Sequence, residues 1–114
     1  MKRPLEVFFQ GIPHSDAIEA SIKRHATKLD GFCSDIMRCR VSVMLNEKHR
    51  NQGKLFNVRV DTTIPGHELV SNREHDEDVY VAIRDAFKDA TRMLEDAVRK
   101  RRGQIKQHEA RIPE

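Results

Sequence analysis

The sequence predicts an α+β fold, a two-layer β-α-β-β-β-α sandwich in which a four-stranded sheet carries two helices on one face. Three observations lead there. Residues 76–106 carry one apolar stripe at helical spacing: Val79, Ile83, Ala86, Phe87, Ala90, Leu94, Ala97 and Val98. A shorter stripe of the same period lies near the N-terminus. Between the two helices, apolar and polar residues alternate with the period of a strand, so only one sheet face is covered.

Residues 5–10 form the first strand, with Leu5, Val7 and Phe9 on one face and Glu6, Phe8 and Gln10 on the other. Residues 11–14 make a turn. Ser15 can cap a helix that runs to about residue 30, with Asp16 and Glu19 in its first turn, where carboxylates complement the helix dipole. Ile18, Ile22, His25, Ala26 and Leu29 are its buried stripe, and Gly31 is the expected stop. Two alternating strands follow. In the first, Met37, Cys39, Val41, Val43 and Leu45 point one way and Arg38, Arg40 and Ser42 the other. In the second, Phe56, Val58, Val60 and Ile64 point inward and Asn57, Arg59 and Asp61 outward. The polar connector 46–54 reads as a hairpin loop, and Pro65-Gly66 as a turn. Residues 67–72 are a short fourth strand, and the closing helix starts near Asp76.

With 114 residues, the chain is expected to form one domain over 1–102, followed by a flexible tail over 103–114. An apolar fraction of 38% against 34% charged residues implies a thin single core. No apolar run approaches the ~18 residues of a membrane span, and the N-terminus lacks the apolar segment of a signal peptide, so a cytoplasmic protein that does not engage membranes is expected. Cys33 and Cys39 have neither zinc-ribbon nor redox-motif spacing. Cys39 reads as a buried core thiol and Cys33 as a free thiol in a loop. The six histidines are scattered. Glu74, Asp76, Glu77 and Asp78 read as carboxylates at a helix N-terminus rather than as a cation site. No phosphate loop, nucleophile elbow or metal-ligand spacing is present. No catalytic residue, metal, cofactor or small-molecule substrate is therefore expected, and the chain is read as a non-enzyme.

The charge pattern points elsewhere. Net charge is only +3 with a pI near 9.1, so basic character has to act locally. On the last helix Arg84, Lys88, Arg92, Arg99 and Arg102 fall within roughly 80° of one another, opposite the apolar stripe. Lys100 adds to them near the C-terminal end. The row reaches back four turns from that end, beyond the range of the helix dipole. Arg24 and Lys28 form a basic pair on the exposed face of the first helix, with Lys23 on another flank. Two helices side by side would present these cations on one surface suited to a polyanion. Asp85, Asp89 and Asp96 form a separate acidic line.

Asp78-Val79-Tyr80-Val81-Ala82-Ile83 resembles the opening of the last helix in the ribosome hibernation-promoting factor and ribosome-associated inhibitor family. The first strand ending at Gly11, the Ser15-capped helix with Lys23, Arg24 and Lys28, and the Pro65-Gly66 turn agree with it over roughly residues 4–102. The resemblance implies the fold derived above. It also implies binding to the small ribosomal subunit near the tRNA and mRNA sites, with basic residues of both helices against rRNA. The implied action is steric repression of translation in resting, stressed cells. Arg92 matches a family arginine, and Lys88, Lys100, Lys23 and Lys28 fall at or near basic family positions. Asp89 and Asp96 stand where the family commonly has lysine, which puts repulsion where phosphate would be attracted. The chain resembles a short form, without the separate C-terminal domain by which long members dimerise ribosomes, and is expected to be monomeric when free. Two rivals remain: a structured-RNA-binding module with no preference for ribosomes, and a protein-interaction adaptor working through Asp85, Asp89 and Asp96.

Overall fold

The computed structural model describes residues 1–47, 54–75 and 78–110, including all their side chains except those of residues 46, 47, 54 and 102–110. Most of the expected 46–54 connector, together with Asp76, Glu77 and the side chain of Arg102, lies outside the described residues. The element order is β1 Glu6–Gln10, α1 Asp16–Phe32, β2 Arg38–Glu47, β3 Lys54–Ile64, β4 His67–His75 and α2 Val79–Ala110. The four strands form one sheet in the order β1-β2-β3-β4. β1 pairs parallel with β2, which the helical crossover through α1 permits, and the other two pairings are antiparallel.

Register places the core. Val41 sits between Val7 and Val60, and Val43 between Phe9 and Val58. Onto these residues pack Ile18, Ile22, Ala26 and Leu29 of α1 and Ile83, Phe87, Ala90 and Leu94 of α2, in one buried cluster. Both helices therefore cover the same sheet face, as the alternation required. Ser71, turned inward on β4, donates its hydroxyl to the Ala86 carbonyl at 2.6 Å and ties sheet to helix inside the core.

Local chemistry accounts for the element ends. The Ser15 hydroxyl accepts from the Ile18 amide at 3.2 Å and caps α1. Gly11 has φ +75, and a Cβ there would stand 2.6 Å from the Leu45 carbonyl oxygen, so only glycine fits the chain's exit from β1. Gly66, at φ +81, completes the two-residue turn that pairs Ile64 with His67.

Several expectations are corrected. Gly31 does not stop α1, which runs to Phe32 before the chain extends at Cys33. Cys33 is a free thiol just past the end of α1, as expected, but it is buried. Met37 precedes β2 and is exposed, while Ile36 is fully buried in its place. Asn57 points to the open sheet face yet is buried, donating to Glu74 at 3.3 Å. β4 extends to His75 because the long β3 gives it a partner as far as Phe56. α2 begins at Val79, with the Asp78 carboxylate accepting from the Tyr80 amide at 2.9 Å.

Candidate nucleic-acid interface

α1 and α2 lie side by side, and residues of both line a shallow groove of about 320 Å³. His25 and Phe87 form part of its floor, stacked with ring centroids 5.3 Å apart and planes 16° apart. Leu29 lies beside them. Lys28 from α1 and Arg84 and Lys88 from α2 also line the groove. The groove thus joins cations that are more than fifty residues apart in the chain. Farther along the helices a second hollow of about 280 Å³ is lined by Val98, Glu95 and Arg99, with Phe32 shared between the two.

The electrostatics follow from this geometry. Partial burial, then the charges of Lys28 and Arg24, hold His25 below the ordinary histidine range. Among the described residues, Arg24, Lys28, Lys88 and Lys100 have no ion partner. Arg84 pairs with Asp85 at 3.2 Å, Arg92 with Asp89 at 3.9 Å and Arg99 with Asp96 at 3.7 Å. The arginines in these pairs are solvent-exposed, so they can be given up for phosphate at small cost.

The basic residues singled out in the sequence do not all line the groove. Lys28, Arg84 and Lys88 meet in the groove, Arg99 lines its continuation, and Arg24 stands exposed one turn before Lys28. Lys23 lies elsewhere: it pairs with Glu19 at 3.4 Å and lines a hollow with Leu5 and Asp30 on the β1 side of α1. Arg92 and Lys100 are exposed but line neither hollow. The acidic line is divided as well. Arg73 on β4 ion-pairs with Asp89, whose side chain is only 18% exposed, so Asp89 is engaged with the sheet. That hydrogen-bonded guanidinium holds the Asp89 carboxyl below the usual carboxylate range.

Sequence reasoning missed Phe32. It lies three residues after Leu29 on the same stripe, but a helix ended at Gly31 excludes it. The open sheet face looks different. Arg38 and Arg40 are drawn to Glu6, at 2.9 and 3.9 Å, and Arg59 to Asp61 at 3.0 Å, so its arginines have carboxylate partners within the sheet. Among the described residues no three His, Cys, Asp or Glu side chains converge as a metal site, and no helix is long and apolar enough to cross a membrane.

The family model described as Sigma 54 modulation protein / S30EA ribosomal protein matches residues 5–102. The chain belongs to this family. The S30EA fold recurs in solved structures: a ribosomal subunit interface protein from Coxiella burnetii superposes with a TM-score of 0.71 at 15% identity, covering 82% of this chain and 94% of that one. The N-terminal domain of Protein Y from Thermus thermophilus superposes with a TM-score of 0.62 at 18% identity, covering 80% and 93%. No curated protein sequence gives a significant match. S30EA membership makes the chain one of a ribosome-associated family, and the basic groove lies within the matched residues.

Proposed function

We propose that this protein is a ribosome hibernation factor that binds small-subunit rRNA near the tRNA and mRNA sites and represses translation sterically in resting cells. The observation that carries the reading is the groove between α1 and α2, where Lys28 and Lys88 have no ion partner among the described residues and Arg84 sits beside them in a weak exposed pair. Arg24, Arg92, Arg99 and Lys100 extend the basic face on either side, and Arg102 belongs to the same helical row by sequence. Family membership supplies the ribosome, and the groove supplies a surface that attracts phosphate. The protein acts in the cytoplasm as a monomer, without a cofactor and without catalysis.

The adaptor rival is weakened by Asp89, which is committed to Arg73, and by Asp85 and Asp96, which face Arg84 and Arg99. The module that reads structured RNA without ribosome preference shares the groove and differs only in its target.

Co-sedimentation with ribosomes decides among these readings. Reversing Lys88 and Arg92 to Glu abolishes binding to small subunits while the protein stays folded, because both side chains are exposed. For about five phosphate contacts the log–log dependence on salt has a slope near −3 to −5. Unchanged ribosome binding by the double variant would overturn the assignment, and equal affinity for any duplex RNA would favour the general module.

A further inference from the structure

Phe32 is half exposed, at 50% of its surface, although it continues the stripe that α1 buries elsewhere. Its ring is shared by two hollows whose cations are Lys28, Arg84 and Lys88 on one side and Arg99 on the other. We propose that Phe32 is a stacking platform for an unpaired nucleobase, with the flanking phosphates held by Lys28, Lys88 and Arg99. This rests on the rRNA-binding reading above and specifies which kind of RNA the groove accepts.

The argument is one of complementarity. A-form RNA keeps its bases stacked inside the duplex and offers a protein phosphates and 2′-hydroxyls, so an open aromatic face has nothing to meet there. An unpaired nucleotide in a loop or bulge offers a π-face, and stacking on an aromatic ring tolerates any base. Leu29 lines the first hollow and Val98 the second, so Phe32 has an apolar neighbour in each. Glu95 also lines the second hollow, where a carboxylate repels phosphate. The same carboxylate accepts a hydrogen bond from an exocyclic amino group, the contact such a side chain makes with cytosine. The hollow beside Phe32 is therefore suited to a base, and the rim carrying Lys28 and Lys88 to the backbone.

The test uses the full chain and two RNA probes: a single-stranded oligonucleotide carrying one 2-aminopurine, and a blunt duplex of equal length. The expected result is tighter binding of the single strand, with 2-aminopurine fluorescence quenched on binding. Phe32→Ala reduces single-strand affinity about tenfold, leaves duplex affinity unchanged and abolishes the quench, and Phe32→Tyr restores all three. Thermal melting checks that both variants fold. Equal loss of affinity for both probes in Phe32→Ala would mean that the ring only shapes the groove, and the proposal fails. Unaltered single-strand affinity in Phe32→Ala overturns it too. Either outcome leaves the phosphate-binding reading standing, since that depends on the charge reversals at Lys88 and Arg92.

Discussion

The Arg73 guanidinium on β4 grips both carboxylate oxygens of Asp89 on α2, its Nη2 donating to Oδ1 at 3.0 Å while Nε donates to Oδ2. The pair joins the edge strand to the last helix on the flank away from the groove. Asp89 answers to Arg73, whereas Asp96 is 59% exposed and among the described residues answers only to a loose contact with Arg99. Two aspartates that look equivalent along the helix have different roles.

Charge reversal should separate them. Asp96→Lys tightens RNA binding, because it removes a repulsion and frees Arg99. Asp89→Lys lowers the melting temperature, because it sets a cation against Arg73. Combining Asp89→Arg with Arg73→Glu restores the melting temperature if the pair is what matters. Equal melting temperatures for the Asp89→Lys and Asp96→Lys variants would show that the β4 contact contributes nothing.

Lys23 and Lys28 provide a second contrast on α1. Lys28 lines the groove and Lys23 faces the β1 side. Lys28→Ala should weaken RNA binding and reduce the magnitude of its salt slope by about 1, the signature of one lost phosphate contact. Lys23→Ala should leave the slope unchanged. Affinity titrations across a salt series measure both.

RNA binding should also be coupled to protons through His25. Its imidazole faces Lys28 and Arg24 on α1 and Arg84 and Lys88 on α2, with the apolar ring of Phe87 beneath it. Burial, then the charges of Lys28 and Arg24, favour its neutral form, and a polyanion in the groove reverses the cationic contribution. Binding should therefore take up a proton and tighten as pH falls through the histidine range. For the free protein the sign is opposite. The folded state resists protonation, so stability is complete above the ordinary histidine value of about 6.5 and declines as pH falls through it toward the lowered one. His25→Gln should flatten both profiles, measured by affinity titration and by thermal melting.

The two thiols should be silent in the native state. Cys39 is fully buried, and burial pushes its thiol up to about 11, so thiolate is scarce at neutral pH. Cys33 is buried at the end of α1. A thiol reagent at neutral pH should react with neither in the folded protein and with both in denaturant. Rapid labelling of the native protein would contradict the packing of α1 against β2.

Two core substitutions grade the interior. Phe87 is 3% exposed, and Phe87→Ala should cost about 3–5 kcal/mol. Ser71→Ala removes the only side-chain donor to the Ala86 carbonyl among the described residues and should cost about 1–3 kcal/mol. Urea denaturation followed by circular dichroism measures both.

Much of this molecule was legible in one dimension. The stripe from Val79 to Ala97 and the alternations through Val41, Val43, Val58 and Val60 are periodicities among near neighbours, and they sufficed for the element order, the one-sided sheet and most of the core. Short-range chemistry was equally readable in the Ser15 cap and the Pro65-Gly66 turn. The exact ends were less so. The length of β4 depends on β3 offering partners as far as Phe56, and α1 continues past Gly31 because glycine lowers helix propensity without forbidding a helix. The site divides in the same way. Sequence alone showed that α1 and α2 carry cations on their solvent faces. Only the tertiary structure decided that Lys28, Arg84 and Lys88 share a groove, that Lys23 does not, that Phe32 stands open between two hollows, and that Arg73 claims Asp89. A helical period assigns each side chain a direction around its own axis, but charges and rings meet only where separate elements pack, and that depends on the shape of the whole core.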